Sequence, residues 1–516
     1  MTIEQLFSAF GLSGKYAVAS AICAPLIAYL CYLLSILMYN IYWHPLSKFP
    51  GPILWAATPI PYVWYQITGR LPFIYERLHD KYGDVVRVLP HKLSFRHPNA
   101  WKDIYQNKSG HKAMPKDARS LAPGDEGVYN IITASNPSDH FRYSHKLHHA
   151  LSSKALFDQE PFITTYVDLL IFRLKARCTK GPQDIVKWAN LIYFDIISDL
   201  TFGESLNGLE NEEYHPWLRG LFGSNMKSIT FQRAMRQFPH IFKFLNLFAP
   251  KGLAEQQIKH SKFVREMVHR RMQDESGRPD FMSYILPYSE EHSLMTMPEV
   301  RATYGALMLA GSENVATTLV FTIFYLLKHP AALQKLSLEI RSRLLTLEDI
   351  DFLGVNSLKY LSAVINESMR LAPAAPTSQP RVVTNGGAIV AGYWVPGGTV
   401  VGAPPYCTNR HSGYFKDPNS FIPERWLKNT GYESDKKSAF HPFQTGPRAC
   451  AGQLLALTEV RIVLARILWE FEISFRDADG GKWSDDLEIF HLWQMKPLYI
   501  NLTAVERIEE KEKRSK

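Results

Sequence analysis

Hydrophobic and polar positions follow three patterns along the chain. The first is unbroken. From Tyr16 to Trp43 there are 28 residues without Asp, Glu, Lys or Arg, and a bilayer core needs about 20 apolar residues. Tyr39, Tyr42 and Trp43 close the stretch as an aromatic belt suited to a membrane interface. Pro25 is compatible with a spanning helix, because the bilayer enforces helical hydrogen bonding. A cleaved leader is the rival reading, but it would have a shorter apolar run and a small-residue cleavage site. The pattern predicts an uncleaved anchor over 1–43. The segment WHPLSKFPGP follows, and its prolines at 45, 50 and 52 forbid a continuing helix. A stiff connector is expected over 44–55.

The second pattern is helical. Ile163, Val167, Leu170 and Leu174 recur at three- and four-residue spacing, as do Ile185, Trp188, Ile192, Ile196 and Leu200. The longest such stretch runs between Pro298 and Pro330, and between Arg301 and Lys328 its only charge is Glu313. A second membrane span would carry that acid at a cost of about 2.5–3.5 kcal/mol. Ser312, Asn314, Thr317 and Thr318 add to the cost. A core helix with a polar cluster at its midpoint fits better, and such a cluster marks a functional site. The third pattern is short and β-rich. VRVL before Pro90 and IVAGYWVPGGTVV around Gly397 and Gly398 predict small sheets. The expectation is a mainly α fold with a small β-rich lobe. Residues 56–505 form the body, and a charged tail spans 506–516.

Composition narrows the function. Charged residues are 21% and hydrophobic ones 46%, so the chain is globular rather than disordered. The +9 net charge is mild for 516 residues and forms no basic stripe, which argues against a nucleic-acid partner. Five cysteines (Cys23, Cys31, Cys178, Cys407 and Cys450) make no CxxC pair, which excludes a zinc ribbon and a disulfide scaffold.

The densest chemistry lies in Phe443-Gln-Thr-Gly446-Pro-Arg448-Ala-Cys450-Ala-Gly452. Gly446 and Gly452 permit close approach of the backbone to another group. Arg448 is expected to place positive charge beside the Cys450 sulfur. The apolar helix that follows would turn its N-terminus toward it, and both effects favour a thiolate. Such a thiolate serves as a nucleophile or as a metal ligand.

This FxxGxRxCxG stretch resembles the haem loop of the cytochrome P-450 family at all five fixed positions. Glu367-Ser-Met-Arg370 resembles the family's ExxR, and Phe421-Ile-Pro-Glu-Arg425-Trp426 its PER motif. The connector and the PERW wording are most similar to membrane-bound fungal members of secondary metabolism. The resemblance implies a cytochrome P-450 fold with an N-terminal transmembrane helix, haem b as cofactor and Cys450 as axial ligand of its iron. It makes Glu367, Arg370 and Arg425 a buried structural charge triad. Arg448, Arg381 and His140 would contact the haem propionates. Where the family prefers Arg, four residues after His140, this chain has Ser144, so His145 or Lys146 is a candidate substitute. Phe443, Gly446, Gly452 and Gly311 complete the cofactor pocket.

In the central helix the family has A/G-G-x-D/E-T-T/S, against Ala310-Gly311-Ser312-Glu313-Asn314-Val315 here. Gly311, Asn314, Val315 and Thr318 share one face, expected to look at the iron's open side, with Gly311 leaving room for dioxygen. Glu313, Asn314, Thr317 and Thr318 are the catalytic candidates. An amide at 314 cannot relay a proton as a hydroxyl does. A substrate pocket is expected from 112–135, 215–245, Leu307–Val315, Ala372–Gln379 and Leu492–Met495, mostly apolar, with Leu307, Ala374, Ala375 and Trp493 facing it. The implied function is a monooxygenase acting on a lipophilic small molecule with dioxygen. A terpenoid or a polyketide/alkaloid would suit the pocket. Electrons would come from a separate NADPH–cytochrome P-450 reductase. The implied location is the endoplasmic reticulum membrane, single-pass, with the body in the cytosol. Two alternatives stay open: a peroxide isomerase or dehydratase needing no reductase, since relatives of that kind carry Asn in the central helix, and a non-enzymatic haem sensor.

Overall fold

A computed structural model describes residues 14–107, 113–121, 123–124, 126–221, 224–246, 251–284 and 295–506. Past Glu506 the expected charged tail lies outside the described residues, as do 112, 122, 125 and 222–223 of the expected pocket segments.

Nine helices organise the site: α1 (Gly14–Met38), α2 (Ile60–Ile67), α3 (Pro137–Ala150), α4 (Ser153–Cys178), α5 (Ile185–Phe202), α6 (Ser224–Met235), α7 (Met297–Lys328), α8 (Lys359–Leu371) and α9 (Gln453–Glu470). The strands are β1 (Val85–Leu89), β2 (Lys92–Phe95), β3 (Gln183–Asp184), β4 (Arg381–Val382), β5 (Ala388–Val390), β6 (Tyr393–Val395), β7 (Val400–Gly402), β8 (Phe471–Phe475), β9 (Glu488–Phe490), β10 (Leu492–Gln494) and β11 (Tyr499–Ala504).

Helix α7 starts at a capping box. Thr296 N–H donates to Glu299 Oε2 at 2.7 Å, and the Thr296 hydroxyl accepts from Glu299 N–H at 3.5 Å. It stops at His329 (φ −128°, ψ 77°), because Pro330 pushes the preceding residue out of helical geometry. Its 32 residues lie mostly inside the protein, which decides for a core helix over a second span. The helix packs on α5, where every residue except Lys187 is buried. Helices α4, α8 and α9 complete this core, and the sequence-spaced residues Ile163, Val167, Leu170 and Leu174 all point into it.

The predicted sheets form with more strands than the sequence suggested. The main sheet has the order β1-β2-β7-β4, with β2 and β7 parallel and the other pairs antiparallel. It covers a second core around Phe95, Trp101 and Val401.

Helix α1 is apolar and exposed where its side chains are described, from Cys23 onward. Its end is fastened to the body. Buried Arg87 donates to the Asn40 carbonyl at 2.8 Å and to the Pro90 carbonyl at 2.8 and 3.2 Å. The Asn40 side chain donates to the Ala57 carbonyl at 2.9 Å. The Arg87 N–H meets the Pro50 carbonyl at 2.8 Å, and at Gly51 a Cβ would sit 2.5 Å from the Arg87 carbonyl oxygen. The proline connector is therefore part of the folded body.

Candidate active site

Cys450 sits on the loop between the turn Gly446–Arg448 and α9, whose N-cap is Gly452. Its N–H donates to the Phe443 carbonyl at 2.8 Å, and the residue keeps an accessible surface although protein surrounds most of its sulfur. Two features seat this loop. Gly446 has φ +78°, and a Cβ there would lie 2.0 Å from the Tyr105 carbonyl oxygen. The Gln106 amide donates to the Thr445 hydroxyl at 2.6 Å. Phe443 is half-buried against the main core, while a Cβ at Gly452 would meet open space.

The expectation that Arg448 stands beside the sulfur is corrected. Its guanidinium donates to the carbonyls of Ala134 (2.5 Å), Ser135 (3.0 Å) and Asn136 (3.5 Å), just ahead of α3. Burial raises the Cys450 thiol, and the Gly452 N–H hydrogen bond partly offsets this. The protein alone therefore does not hold a thiolate here. A metal cation at the sulfur would supply the missing stabilisation.

Arg448 instead joins a group of cations. Burial and the nearby Arg381 lower it to about 10. Arg381, itself lowered by burial, pairs by an isolated β-bridge with Lys116. Lys116 is pulled down to about 7 by burial, then by Arg381 and Arg448. His140 is pushed to about 4 by burial, then by Arg448, Lys116 and Arg381. Lys116, His140 and Arg448 are thus each lowered by Arg381, and no carboxylate figures among the causes. Such a set fits the two carboxylates of a haem. Ser144 Oγ donates to the Phe141 carbonyl at 3.2 Å, and the exposed His145 ring packs between Phe141 and His149. The cation that joins this set is Lys116, from a loop the sequence reading did not single out. The only signal was local: a lysine in a segment already expected near the pocket.

In the middle of α7, Ala306, Leu307, Leu309, Ala310, Gly311 and Asn314 are half-exposed while Met308, Ser312 and Glu313 are buried, so this stripe is the open face. Asn314 lies at its C-terminal end. Its Nδ2 donates to the Ala310 carbonyl at 3.3 Å, and its Oδ1 is buried with no partner. Glu313 is buried at the stripe's edge. Its Oε2 has no partner either, and burial alone raises the carboxyl to about 7. Two unsatisfied polar atoms side by side match a site that receives a polar ligand atom.

Three expectations about α7 change. A Cβ on Gly311 would lie 2.5 Å from Ile197 Cδ1, so the glycine serves the close approach of α7 to α5 rather than room for dioxygen. Val315 is 4% exposed and belongs to the core. Thr318 Oγ1 donates to the Asn314 carbonyl at 2.9 Å, which commits its proton, and Thr317 is sealed in at 1% exposure.

The triad forms with no exposed side chain. Arg370 makes a bidentate pair with Glu367 (2.8 and 2.9 Å), and Arg425 Nε reaches the same carboxylate at 2.9 Å. Ile422 N–H and Trp426 Nε1 fill the remaining lone pairs at 2.9 and 3.0 Å. Asp435, which sequence reading missed, takes the other end of Arg425. Removing the central acid would strand the buried Arg370 and leave Arg425 to Asp435 alone, at a cost of about 3–5 kcal/mol. Glu367→Ala should therefore fail to accumulate as folded protein. Soluble yield and thermal melting check this, and a melting temperature within a few degrees of wild type would contradict it.

A cavity of about 130 Å³ opens beside this site. As expected, residues of 116–121, 132–133 and Pro376–Gln379 line it, whereas Leu307–Val315 and Leu492–Met495 do not. Tyr62 and Gln66 of α2, the β1–β2 turn and Ile489 and His491 also line it. Its lining is more apolar than polar, as expected, but Lys92, Lys116, Arg119, Arg233 and Arg381 add positive charge to its wall. Trp493 faces elsewhere: it is buried against Phe321 and Tyr406, with its indole donating to the Pro373 carbonyl at 2.8 Å.

The cytochrome P-450 family model matches residues 50–502. Among curated relatives, cytochrome P-450 monooxygenase astJ of Aspergillus oryzae is 40% identical, over 90% of this chain and 93% of its own. Cytochrome P-450 monooxygenase efuB of Hormonema carpetanum is 37% identical, over 93% and 95%. The trichothecene C-15 hydroxylase of Fusarium sporotrichioides is 36% identical, over 92% of this chain and 96% of its own.

Proposed function

Since the chain belongs to the cytochrome P-450 family, we propose that it is a haem b monooxygenase that oxidises a lipophilic small molecule of fungal secondary metabolism. A separate NADPH–cytochrome P-450 reductase would provide the electrons. The observation that carries this reading is the accessible Cys450 on the same loop as Arg448, which joins a set of partly buried cations with no acid among them. When bound, haem supplies dioxygen activation and transfer of one oxygen atom to the substrate. The residues do the rest. Cys450 Sγ would ligate the iron, and Arg448, Arg381, Lys116 and a neutral His140 would hold the propionates. Phe443 and Gly446 fix the loop. Glu313 holds a proton at its carboxyl near neutral pH and can yield it toward the open face of α7. Asn314 offers Oδ1 as an acceptor, suited to seating a water or a substrate hydroxyl. A carboxyl poised near 7 favours the reductase-driven reading over peroxide rearrangement, which needs no such donor.

We also propose that residues 1–43 anchor the protein in the endoplasmic reticulum membrane, with the connector 44–55 and the body 56–505 on the cytosolic side. In support, Ile53, Leu54, Ile60 and Trp64 are all at least 60% exposed next to the anchor's end. Such a patch suits an interface.

The reconstituted protein should turn over a lipophilic substrate with reductase and NADPH. Turnover with a hydroperoxide alone, and none with NADPH, would instead establish the isomerase reading. Within the monooxygenase reading, Asn314→Thr adds a hydroxyl on the open face. The ratio of product to NADPH consumed should shift by about threefold or more, a small part of what positioned proton transfer is worth. The ferrous carbonyl spectrum should stay normal. An unchanged ratio would make Asn314 a bystander.

A further inference from the structure

The cavity wall carries positive charge that no described residue balances. Arg233, in α6, makes no hydrogen bond or ion pair with a described residue, and the charged group that acts on it is another cation, Arg236. Arg236 is itself held by carbonyls, donating to Leu121 at 2.9 Å and to Arg119 at 3.4 Å. Lys92, at the start of β2, is 7% exposed. Its ammonium lies 5.0 Å from the ring centroid of Tyr62 and makes no hydrogen bond among the described residues. His491 closes the group from the tip of the β9–β10 hairpin, where its backbone has φ +74°. Burial, then Arg233, holds its imidazole neutral, down to about 3. The only acid lining the cavity, Asp117, is paired with Arg119 at 3.0 Å. Four elements therefore converge on the cavity with two unneutralised cations, a neutral imidazole and a phenol. A half-buried guanidinium without an acid is costly unless an anion completes it.

We infer that the substrate carries a carboxylate, and that Arg233, assisted by Lys92, binds it in this cavity. This rests on the monooxygenase reading of the cavity and adds to it a lipophile with one anionic end. Anchoring that end would fix the register of the rest of the molecule, in the way a remote charge clamp does.

The test uses full-length holoprotein in neutral detergent at pH 8, with displacement of a fluorescent fatty-acid probe by sodium laurate or by methyl laurate. Arg233→Gln should weaken laurate about tenfold or more and methyl laurate less than twofold, while Arg233→Lys keeps most of the laurate affinity. Lys92→Gln should weaken laurate by a smaller factor. Laurate binding unaffected by Arg233→Gln, or both probes weakened alike, would overturn the inference. So would loss of binding to phosphatidylserine vesicles in Arg233→Gln with laurate unchanged, because the charge would then serve an anionic lipid headgroup. The carbonyl spectrum of each preparation separates the two claims. A wild type without the thiolate band fails the haem reading, whereas a normal band with no carboxylate preference fails this one.

Discussion

Cys450→Ala protein should fold and melt close to wild type, yet lack the red-shifted Soret band of the ferrous carbonyl form and show no NADPH-driven turnover. The structure explains why these two outcomes separate. Cys450 has an accessible surface and belongs to none of the apolar core clusters, so its removal opens no cavity in the core, and changes at such positions stay within about 0.5 kcal/mol. The loop keeps its seat through the Cys450 N–H to Phe443, the Gln106–Thr445 bond and Gly446 against Tyr105, none of which uses the sulfur. No other cysteine can replace it. Cys407 is buried, its Sγ 3.8 Å from the Pro72 carbonyl, with its thiol pushed well up by burial. Cys178 ends α4 and turns back on the Lys175 carbonyl. A retained thiolate band in folded Cys450→Ala would remove the basis of the proposed function.

Glu313→Gln should have the next largest effect, in opposite directions on rate and stability. Burial alone raises this carboxyl from its ordinary 4.5 to about 7, and no cation is among the causes. Between pH 4.5 and 7 the folded chain keeps a proton that the unfolded chain has released, so stability falls as pH rises through that window. By pH 8 the ionised, unpartnered group costs on the order of 3 kcal/mol. The neutral amide escapes this cost, so Glu313→Gln should melt higher than wild type at pH 8 and equal to it near pH 5. Turnover should move the other way. If the carboxyl delivers protons to the open face of α7, replacing it loses about 10²–10⁴-fold in NADPH-driven rate. The decline of the wild-type rate above pH 7 should also disappear from the remaining activity. Stopped-flow NADPH oxidation and melting curves across pH 5–8.5 measure both, and a rate within twofold of wild type would remove Glu313 from the proton path.

The elements that carry the chemistry were legible because each is a local pattern. The haem-type loop, the i, i+3 pair Glu367–Arg370 and the long helix with its lone acid lie within a few turns of chain, and the backbone geometry of those turns is fixed. What escaped depends on contacts between distant segments. Lys116 joins Arg381 across 265 positions of sequence only because a β-bridge aligns them. Asp435 caps Arg425 through a loop fold that no periodicity announces. Gly311 lies on the expected face of α7, but spacing does not say which neighbour a missing Cβ makes room for, and Ile197 of α5 settles that.

The clasp at Arg87 changes how the protein meets a bilayer. A flexible linker would let the body roll, and the cavity mouth would sample every height above the lipid. Here the last turn of the anchor is a structural member of the body, with Asn40 joined to Arg87 and Ala57 on either side of the proline connector. Tilt is thus set by internal hydrogen bonds rather than by tether length. Tyr62 and Gln66 of the cavity wall follow within two turns of the exposed Ile60. An amphiphile dissolved in the membrane would then find the opening by lateral diffusion within one thin layer, and its concentration there would be governed by partitioning into lipid rather than by solubility in water.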